Sequence, residues 1–216
     1  MKKPILIILV ILILDQIFKF WIKTTMYLGQ DIPVFGNWFI LHFTENEGMA
    51  FGMTFGGEWG KLALSLFRIV AVIGIGWYMV VLSKTDHKPG LLYCMALIFA
   101  GATGNIIDSA FYGLIFTDSY ARVAEFLPEG GGYASFLHGK VVDMLYFPVI
   151  QTTLPEWFPW KGGQEFVFFR PVFNLADASI TTGVLWLIVF QKRYFPKKEE
   201  VSQPKPEDPS ADPSEV

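Results

Sequence analysis

Four long apolar stretches limit most strongly how this chain can fold. They cover residues 4–23, 62–82, 91–108 and 173–190. Each has about the 20 mostly apolar residues that a helix needs to cross the hydrocarbon core of a bilayer. The chain as a whole is 52% hydrophobic and only 17% charged, which is too apolar for an ordinary soluble domain. The sequence therefore predicts a mostly α-helical, polytopic membrane protein with four transmembrane helices.

Basic residues between these stretches predict how the helices are oriented. They precede the first stretch, separate the second from the third and follow the fourth: Lys2, Lys3, Lys84, Lys88, Lys192, Arg193, Lys197 and Lys198. By the positive-inside rule these segments are cytoplasmic, so residues 25–61 and 109–172 lie outside. We expect a multi-pass protein of the cytoplasmic membrane with both termini in the cytoplasm.

The segments outside the helices predict one domain and a tail. Apolar stretches leave no room for a separate soluble domain, so residues 1–195 are expected to form a single membrane-embedded domain. Residues 196–216 are almost free of apolar side chains and predict a disordered cytoplasmic tail. The aromatic and β-branched residues 37–43 predict a short strand in the first outer segment. The second outer segment is long for a loop and rich in the aromatic residues typical of a membrane surface.

Several classes of function do not fit the composition. The net charge is −3 and no long Lys/Arg block is present, so we expect no nucleic-acid partner. The single Cys94 can form neither an internal disulfide nor a cysteine-based metal site. The three histidines do not form the His-Glu-x-x-His pattern of a zinc protease. We therefore expect neither a metal nor another cofactor.

The first apolar stretch contains ionisable residues, which have either a structural role or a role in function. Asp15 and Lys19 stand four residues apart, on one face of a helix, where they can form an ion pair within the membrane. Ionisable groups are costly there and are functional candidates by default. An ion pair that anchors the helix and a pair that contacts substrate both remain open.

The third and fourth stretches carry further polar residues. Gly101 and Gly104 allow another helix to come close, and Asn105 and Asp108 face the same way at the outer end. Close packing with a polar network between helices is the plain explanation. In the fourth stretch, Asn174 is a good N-cap residue, and Asp177 falls in the first turn, where the helix dipole favours a carboxylate. Capping alone is the competing explanation for that pair.

Asp143 and Asp177 are the strongest candidates for chemistry. Asp143 lies inside the apolar segment 141–147, where an isolated carboxylate needs a partner. Both residues are expected at the outer membrane boundary, where they can meet. Two carboxylates in a dry site share one proton and can act as base and acid around a water molecule. That arrangement suits peptide hydrolysis, with Asp177 as the more readily ionised partner because it lies near a helix N-terminus.

Five segments resemble, in order, the motifs of the signal peptidase II (prolipoprotein signal peptidase) family: residues 15–19, 46–52, 101–108, 141–143 and 173–177. The resemblance implies that Asp143 and Asp177 are the catalytic pair of a membrane aspartic peptidase of the bacterial inner membrane. It further implies cleavage of prolipoproteins on the N-terminal side of a diacylglyceryl-modified cysteine, a small extracytoplasmic β-cradle and inhibition by globomycin. The candidates for holding the substrate peptide are Asn46, Gly48, Asn105, Asp108 and Asn174, with Asp15 and Lys19 as further possible contacts.

The chain also departs from the family pattern. Residues 110–140 and 148–170 resemble insertions relative to compact members, and form an extended outer loop. The position after Asp108, where many members carry Arg, is Ser109. Arg122 and Arg170 are the candidates to replace that guanidinium.

A small transporter or binding protein is the alternative function. It would use the same carboxylates for proton or cation coupling. No inverted repeat is evident, and both carboxylates are expected at one membrane face rather than at the midplane, which argues against it. The preferred interpretation is an enzyme that acts as a monomer, with its active site at the outer face and with membrane lipids and lipidated prolipoprotein as its partners.

Overall fold

The computed structural model describes residues 1–47, 57–85, 88–160 and 162–195. Gly48 and the tail 196–216 lie outside these ranges. The helices are α1 (Lys2–Thr25), α2 (Gly57–Leu82), α3 (Pro89–Ile107), α4 (Gly113–Ile115), α5 (Leu175–Val189) and α6 (Gln191–Tyr194), with a π-helical turn at Asp108–Tyr112. The strands are β1 (Asp31–Phe35), β2 (Phe39–Asn46), β3 (Val141–Tyr146), β4 (Ile150–Thr153), β5 (Glu165–Phe168) and β6 (Val172–Phe173).

Apolar helices form the body of the molecule, as the sequence predicted. Within the described ranges, three of them are long and apolar enough to cross a membrane: Lys2–Thr25, Trp59–Leu82 and Pro89–Ile115. The fourth predicted stretch forms the shorter apolar helix α5, which has 15 residues. It begins at Leu175 because Val172 and Phe173 belong to a strand and Asn174 is the cap. Helix α3 packs against α1, α2 and α5 and is the centre of the bundle.

Large apolar side chains on the helices point away from the bundle. Ile13, Ile17, Phe67, Trp77 and Val189 are all more than half exposed. Such a surface would be unfavourable in water, whereas lipid chains cover it at no cost. The distribution of apolar residues therefore agrees with a membrane protein.

An antiparallel sheet in the order β1-β2-β3-β6 covers one end of the bundle. The predicted strand at 37–43 corresponds to β2, which begins two residues later and continues to Asn46. Phe43, Val142 and Met144 of the sheet pack with Ile22 of α1 and with Met26, which directly follows that helix. This apolar core fixes the sheet, and hence the position of Asp143 within β3, relative to the helices.

The second outer segment contains two different structures. Its first residues continue α3 through the π-helical turn to Ile115, so the part of the expected insertion at 110–115 is helical. Strands β4 and β5 form a separate antiparallel hairpin, in which Ile150 lies opposite Phe168 and Thr153 opposite Glu165. Trp157 and Trp160 lie between these strands and are 79% and 98% exposed. The aromatic residues noted in the sequence therefore form an exposed tip.

Candidate active site

Two glycines allow three helices to meet where the polar residues lie. A β-carbon at Gly101 would overlap the backbone carbonyl of Ala176 in α5. One at Gly104 would come within 2.8 Å of Asp15 Oδ2 in α1. The sequence predicted this close approach, and the structure confirms it. Because α1, α3 and α5 come together here, their polar side chains are brought into contact away from solvent.

Lys19 lies at the centre of a buried polar cluster. Its Nζ is 3.0 Å from Asp15 Oδ2 and 2.8 Å from Asp108 Oδ2. The same ammonium donates a hydrogen bond of 2.9 Å to Asn105 Oδ1. Lys19, Asp15 and Asp108 are each at most 1% exposed. The ion pair expected from the spacing of Asp15 and Lys19 is confirmed, and Asp108 joins it as a second carboxylate. We call Lys19, Asp15, Asp108 and Asn105 the Lys19 network.

Both carboxylates of this network also hold backbone elements in place. Asp15 Oδ1 accepts a hydrogen bond of 2.9 Å from the backbone N–H of Ala176, in the first turn of α5. Asp108 Oδ2 accepts one of 3.2 Å from the backbone N–H of Val142 in β3. Ala176 and Val142 directly precede Asp177 and Asp143 in the chain. The Lys19 network therefore fixes the two segments that carry these aspartates.

Gln16 extends the Lys19 network. Its amide nitrogen donates to Asp108 Oδ1 at 2.9 Å and to Asp15 Oδ2 at 3.2 Å. Tyr112 donates from its hydroxyl to Gln16 Oε1 at 3.3 Å. Sequence reasoning did not select Gln16, although a polar residue next to Asp15 in an apolar helix is a signal of the same kind as Asp15 itself.

Asn174 and Asp177 form a capping box at the start of α5. The backbone N–H of Asp177 donates to Asn174 Oδ1 at 2.8 Å, and the backbone N–H of Asn174 donates to Asp177 Oδ2 at 3.4 Å. Such a box satisfies two backbone donors that a helix start leaves without partners. The capping explanation is therefore correct as far as it goes. It leaves the amide nitrogen of Asn174 and Oδ1 of Asp177 available for other contacts.

Asp143 is held by two asparagine side chains. Asn174 Nδ2 donates to Asp143 Oδ1 at 2.7 Å, and Asn46 Nδ2 donates to Asp143 Oδ2 at 3.4 Å. The sheet register explains the second contact: Asp143 lies opposite Thr44 and Val141 opposite Asn46, so Asn46 and Asp143 are diagonal neighbours on one face. Asp143 is 3% exposed.

Two asparagines connect Asp143 and Asp177. Asn105 Nδ2 donates to Asp177 Oδ1 at 2.8 Å, and Asn174 Nδ2 also donates to Asn105 Oδ1 at 3.1 Å. Asn174 contacts both aspartates, Asp143 through its side-chain amide and Asp177 through its backbone N–H, so their charges interact. Burial and, next, the neighbouring charge of Asp177 together raise the pKa of Asp143 to about 7. Asp143 therefore favours the protonated form, and the two residues, which we call the carboxylate pair, can share one proton.

The structure brings together most of the residues selected from the sequence. One continuous set of contacts links the carboxylate pair to five of these residues: Asn105, Asp108, Asp15, Lys19 and Asn174. Asn46 contacts the pair from β2, and Gly48 lies outside the described residues.

The two arginines proposed to replace the one expected at position 109 have partners elsewhere. Arg122 forms an exposed ion pair with Asp118, and Arg170 donates to the backbone carbonyl of Glu165. Ser109 donates within its own helix to the carbonyl of Asn105 at 3.1 Å. These contacts do not support a role for either arginine beside the carboxylate pair. Sequence reasoning overlooked Arg68 of α2, whose charge interacts with both aspartates.

Comparison with known proteins relates this arrangement to one family. The family model described as signal peptidase (SPase) II matches residues 7–192. A lipoprotein signal peptidase of Porphyromonas gingivalis is 50% identical over 189 residues, which are 87% of this chain and 81% of the relative. One of Amoebophilus asiaticus is 41% identical over 190 residues, covering 87% of this chain and 76% of the relative.

A solved structure agrees with the fold. A bacterial membrane enzyme determined by the in meso method superimposes with a TM-score of 0.58 at 24% sequence identity, covering 93% of this chain and 95% of the other. At that identity the likeness concerns the fold alone. It agrees with an architecture of apolar helices and small sheets.

Proposed function

This chain belongs to the signal peptidase II family of membrane aspartic peptidases, and we propose that Asp143 and Asp177 are the residues with which it removes signal peptides from prolipoproteins. The observation that carries the assignment is the pair itself: two carboxylates from distant parts of the chain that both contact Asn174 and are also joined through Asn105. The cleaved bond is proposed to be the one on the N-terminal side of a diacylglyceryl-modified cysteine.

The proposed reaction uses the two aspartates in different protonation states. Asp177 acts as the base: its carboxylate takes a proton from a water molecule as the water oxygen attacks the scissile carbonyl carbon. Asp143, whose raised pKa of about 7 favours the protonated form, donates its proton to the carbonyl oxygen. When the tetrahedral intermediate collapses, the C–N bond breaks and the proton taken up by Asp177 passes to the leaving amine. Asp143 recovers its proton from the hydroxyl of the intermediate.

The roles proposed for the other site residues depend on whether a substrate can reach them. Lys19, Asp15 and Asp108 are fully buried and hold the segments that carry the carboxylate pair, so we assign them to positioning. Asn105 and Asn174 orient the two carboxyl groups directly. Asn46 is half-buried at the end of β2, where an extended substrate peptide can reach it. Gly48 remains a proposed substrate contact from the resemblance.

The membrane arrangement follows from the same assignment. The chain is a bacterial membrane protein with several apolar helices. We propose that both termini are cytoplasmic and that the sheet and the carboxylate pair lie at the outer face, because basic residues flank the opposite ends of the helices. The protein is surrounded by membrane lipid, and its substrate is prolipoprotein. We propose that the protein works as a monomer.

Globomycin, which the family resemblance implies as an inhibitor, provides a binding test. A ligand that occupies the folded site should raise the midpoint of thermal unfolding, by an amount equivalent to about 2.7 kcal/mol at 100 times its Kd. The measurement is a thermal melt of the purified protein in detergent with and without inhibitor. An unchanged midpoint at saturating concentration would count against the assigned site.

The direct test is cleavage of a diacylated prolipoprotein peptide by the purified protein in detergent. The matched substrate is the same peptide without the diacylglyceryl group, which should be cut poorly if lipid is recognised. The transporter alternative makes the opposite prediction, namely proton or cation flux in liposomes without cleavage. Flux without cleavage would overturn the proposed function.

A further inference from the structure

Arg68 is a charged residue in the middle of the apolar helix α2. It lies within Trp59–Leu82, which is long and apolar enough to cross a membrane. A charge at such a position is costly and marks a functional candidate by default. The side chain is half-buried, and its charge interacts most strongly with Asp177 and next with Asp143. The reaction described above assigns it no role.

The face of α2 that carries Arg68 contacts two segments that flank the sheet. Lys61, Ser65 and Arg68 follow at helical spacing and so share one face. Lys61 forms an ion pair of 2.5 Å with Glu47, directly after β2. Ser65 Oγ donates to the carbonyl of Leu137, four residues before β3, at 3.3 Å. Side chains of a helix lean towards its N-terminus, so we expect Arg68 to extend along α2 towards these contacts.

The charge balance of the site also calls for a cation here. Lys19 already contacts the carboxylates of both Asp15 and Asp108. A carboxylate pair that shares one proton carries one further negative charge. A buried charge without compensation is strongly unfavourable. A guanidinium remains ionised throughout the working pH range and provides the compensation from the side of α2.

We propose that Arg68 is a positioning residue of the active site, whose guanidinium faces the carboxylate pair from α2 and keeps the negative charge of that pair on Asp177. With the charge held on Asp177, the shared proton stays on Asp143, as the proposed reaction requires. The inference rests on the proposed function, because it concerns the same pair. An arginine that merely anchors α2 at a membrane boundary would not influence how the pair titrates.

Other charged groups lie on the elements that neighbour the pair and are left unchanged by substitution of Arg68. They are Asp15 and Lys19 of α1, Glu45 of β2, Glu47 after it, Lys61 of α2, Asp108 of the π-helical turn and Lys140 before β3. A change in titration on replacing Arg68 therefore reports the loss of this one charge.

The test is the pH dependence of kcat/KM for the diacylated peptide with the full-length protein in detergent. The variants are Arg68→Met, Arg68→Lys and Arg122→Met, the last removing an exposed arginine from the outer segment as the matched control. Arg68→Met should move both limbs of the bell-shaped profile to higher pH by about one unit, since a neighbouring opposite charge shifts a pKa by about 1–3 units. It should also lower kcat more than it changes KM. The pH profiles of Arg68→Lys and of the control Arg122→Met should both have their limbs at the wild-type positions.

Several outcomes would overturn the inference. One is an unshifted profile for folded Arg68→Met, and another is a shift in Arg68→Lys as large as in Arg68→Met. Methionine has a similar unbranched stem and suits an apolar helix. If Arg68→Met nevertheless yields no folded protein, Arg68→Gln takes its place as the neutral variant: limbs displaced to higher pH support the inference, and limbs at the wild-type position reject it. Asp177→Asn in the same assay distinguishes failure of the Arg68 inference from failure of the proposed function. If it is inactive while Arg68→Met is unshifted, the inference falls and the proposed function stands; if it is fully active, the proposed function itself falls.

Discussion

Two lysines one helical turn apart on α1 occupy equally dry positions but contact different parts of the molecule. Lys19 and Lys23 are both fully buried. Lys19 contacts Asp15, Asp108 and Asn105, and Asn105 in turn contacts Asp177. Lys23 pairs with Glu45, donates to Ser119 at 2.8 Å and lies 4.8 Å from the centre of the Tyr133 ring.

The difference shows that burial of a charge does not by itself indicate a role in catalysis. Both lysines join α1 to other elements. Loss of Lys19 would leave Asp15 and Asp108 without the ammonium that they share, whereas loss of Lys23 would leave Glu45 only Lys140, at 3.8 Å. Their hydrogen bonds lead to different places, however. From Lys19 they lead through an amide to the carboxylate pair, whereas those from Lys23 tie α1 to β2 and the outer segment.

The largest effect is expected at the carboxylate pair. Of the two lysines, only Lys19 is connected to this pair by hydrogen bonds within the described residues. Asp143→Asn and Asp177→Asn should each fold but lose activity by a factor of about 10²–10⁴, because an amide cannot exchange the required proton. Peptide cleavage in detergent measures the loss. Asp118→Asn, which changes an exposed carboxylate of the outer segment, is the matched control. More than about a tenth of wild-type activity in either variant would refute the pair.

The lysines themselves test the comparison directly. Lys19→Met and Lys23→Met should each lower the free energy of unfolding, by about 3–5 kcal/mol as for other broken buried pairs. Lys19→Met should be the worse, since it leaves both Asp15 and Asp108 without their cation. Thermal melts in detergent give the order, with the exposed Lys3→Met as control.

Activity per folded molecule then separates the two lysines. Lys19→Met should lower it, because Asn105 loses a partner that orients it towards Asp177. Lys23→Met should retain it within the error of the assay. Equal losses in both variants would show that the two buried networks do not differ in function.

The pH dependence of stability provides a smaller effect at the same pair. In the folded protein Asp143 keeps its proton up to a pKa of about 7, against 3.8 for an unperturbed carboxyl. Between these values the folded state binds more protons than the unfolded state, so the contribution of Asp143 to the free energy of unfolding falls as pH rises. Asp143→Asn should remove this decline and melt higher than wild type at about pH 8. The decline should persist in Asp118→Asn; if it also persists in Asp143→Asn, another group is responsible.

The smallest effect is expected at the hairpin tip, which lies apart from both lysine networks. We predict that Trp157, Phe158 and Trp160 help to cover the lipidated substrate, as exposed aromatic residues at a membrane surface can. Replacing all three by Ser should lower kcat/KM for the diacylated peptide by about 10-fold. The lipid-free peptide is the control substrate. Kinetic constants within about twofold of wild type would indicate a passive anchor instead.

Local spacing made several features predictable. Asp15 and Lys19 are four residues apart, so helical geometry alone predicts that they pair. Asn174 and Asp177 have the spacing of a helix cap and form one. Arg68 was equally visible as an arginine inside an apolar stretch, and the rule that selected Asp15 would have selected it.

The sequence by itself determined which segments are apolar helices, where their polar residues fall and that two aspartates are available at one end. These properties depend on composition and on neighbours within a turn or two. The tertiary structure decided which partner each buried charge has: Lys19 meets Asp108 and Asn105 from α3 and its continuation, and Lys23 meets Glu45 from β2. These partners are far apart in the chain and meet because Gly101 and Gly104 let the helices approach and because an apolar core fixes the sheet on α1. Spacing cannot reveal such contacts, since they depend on how whole elements pack.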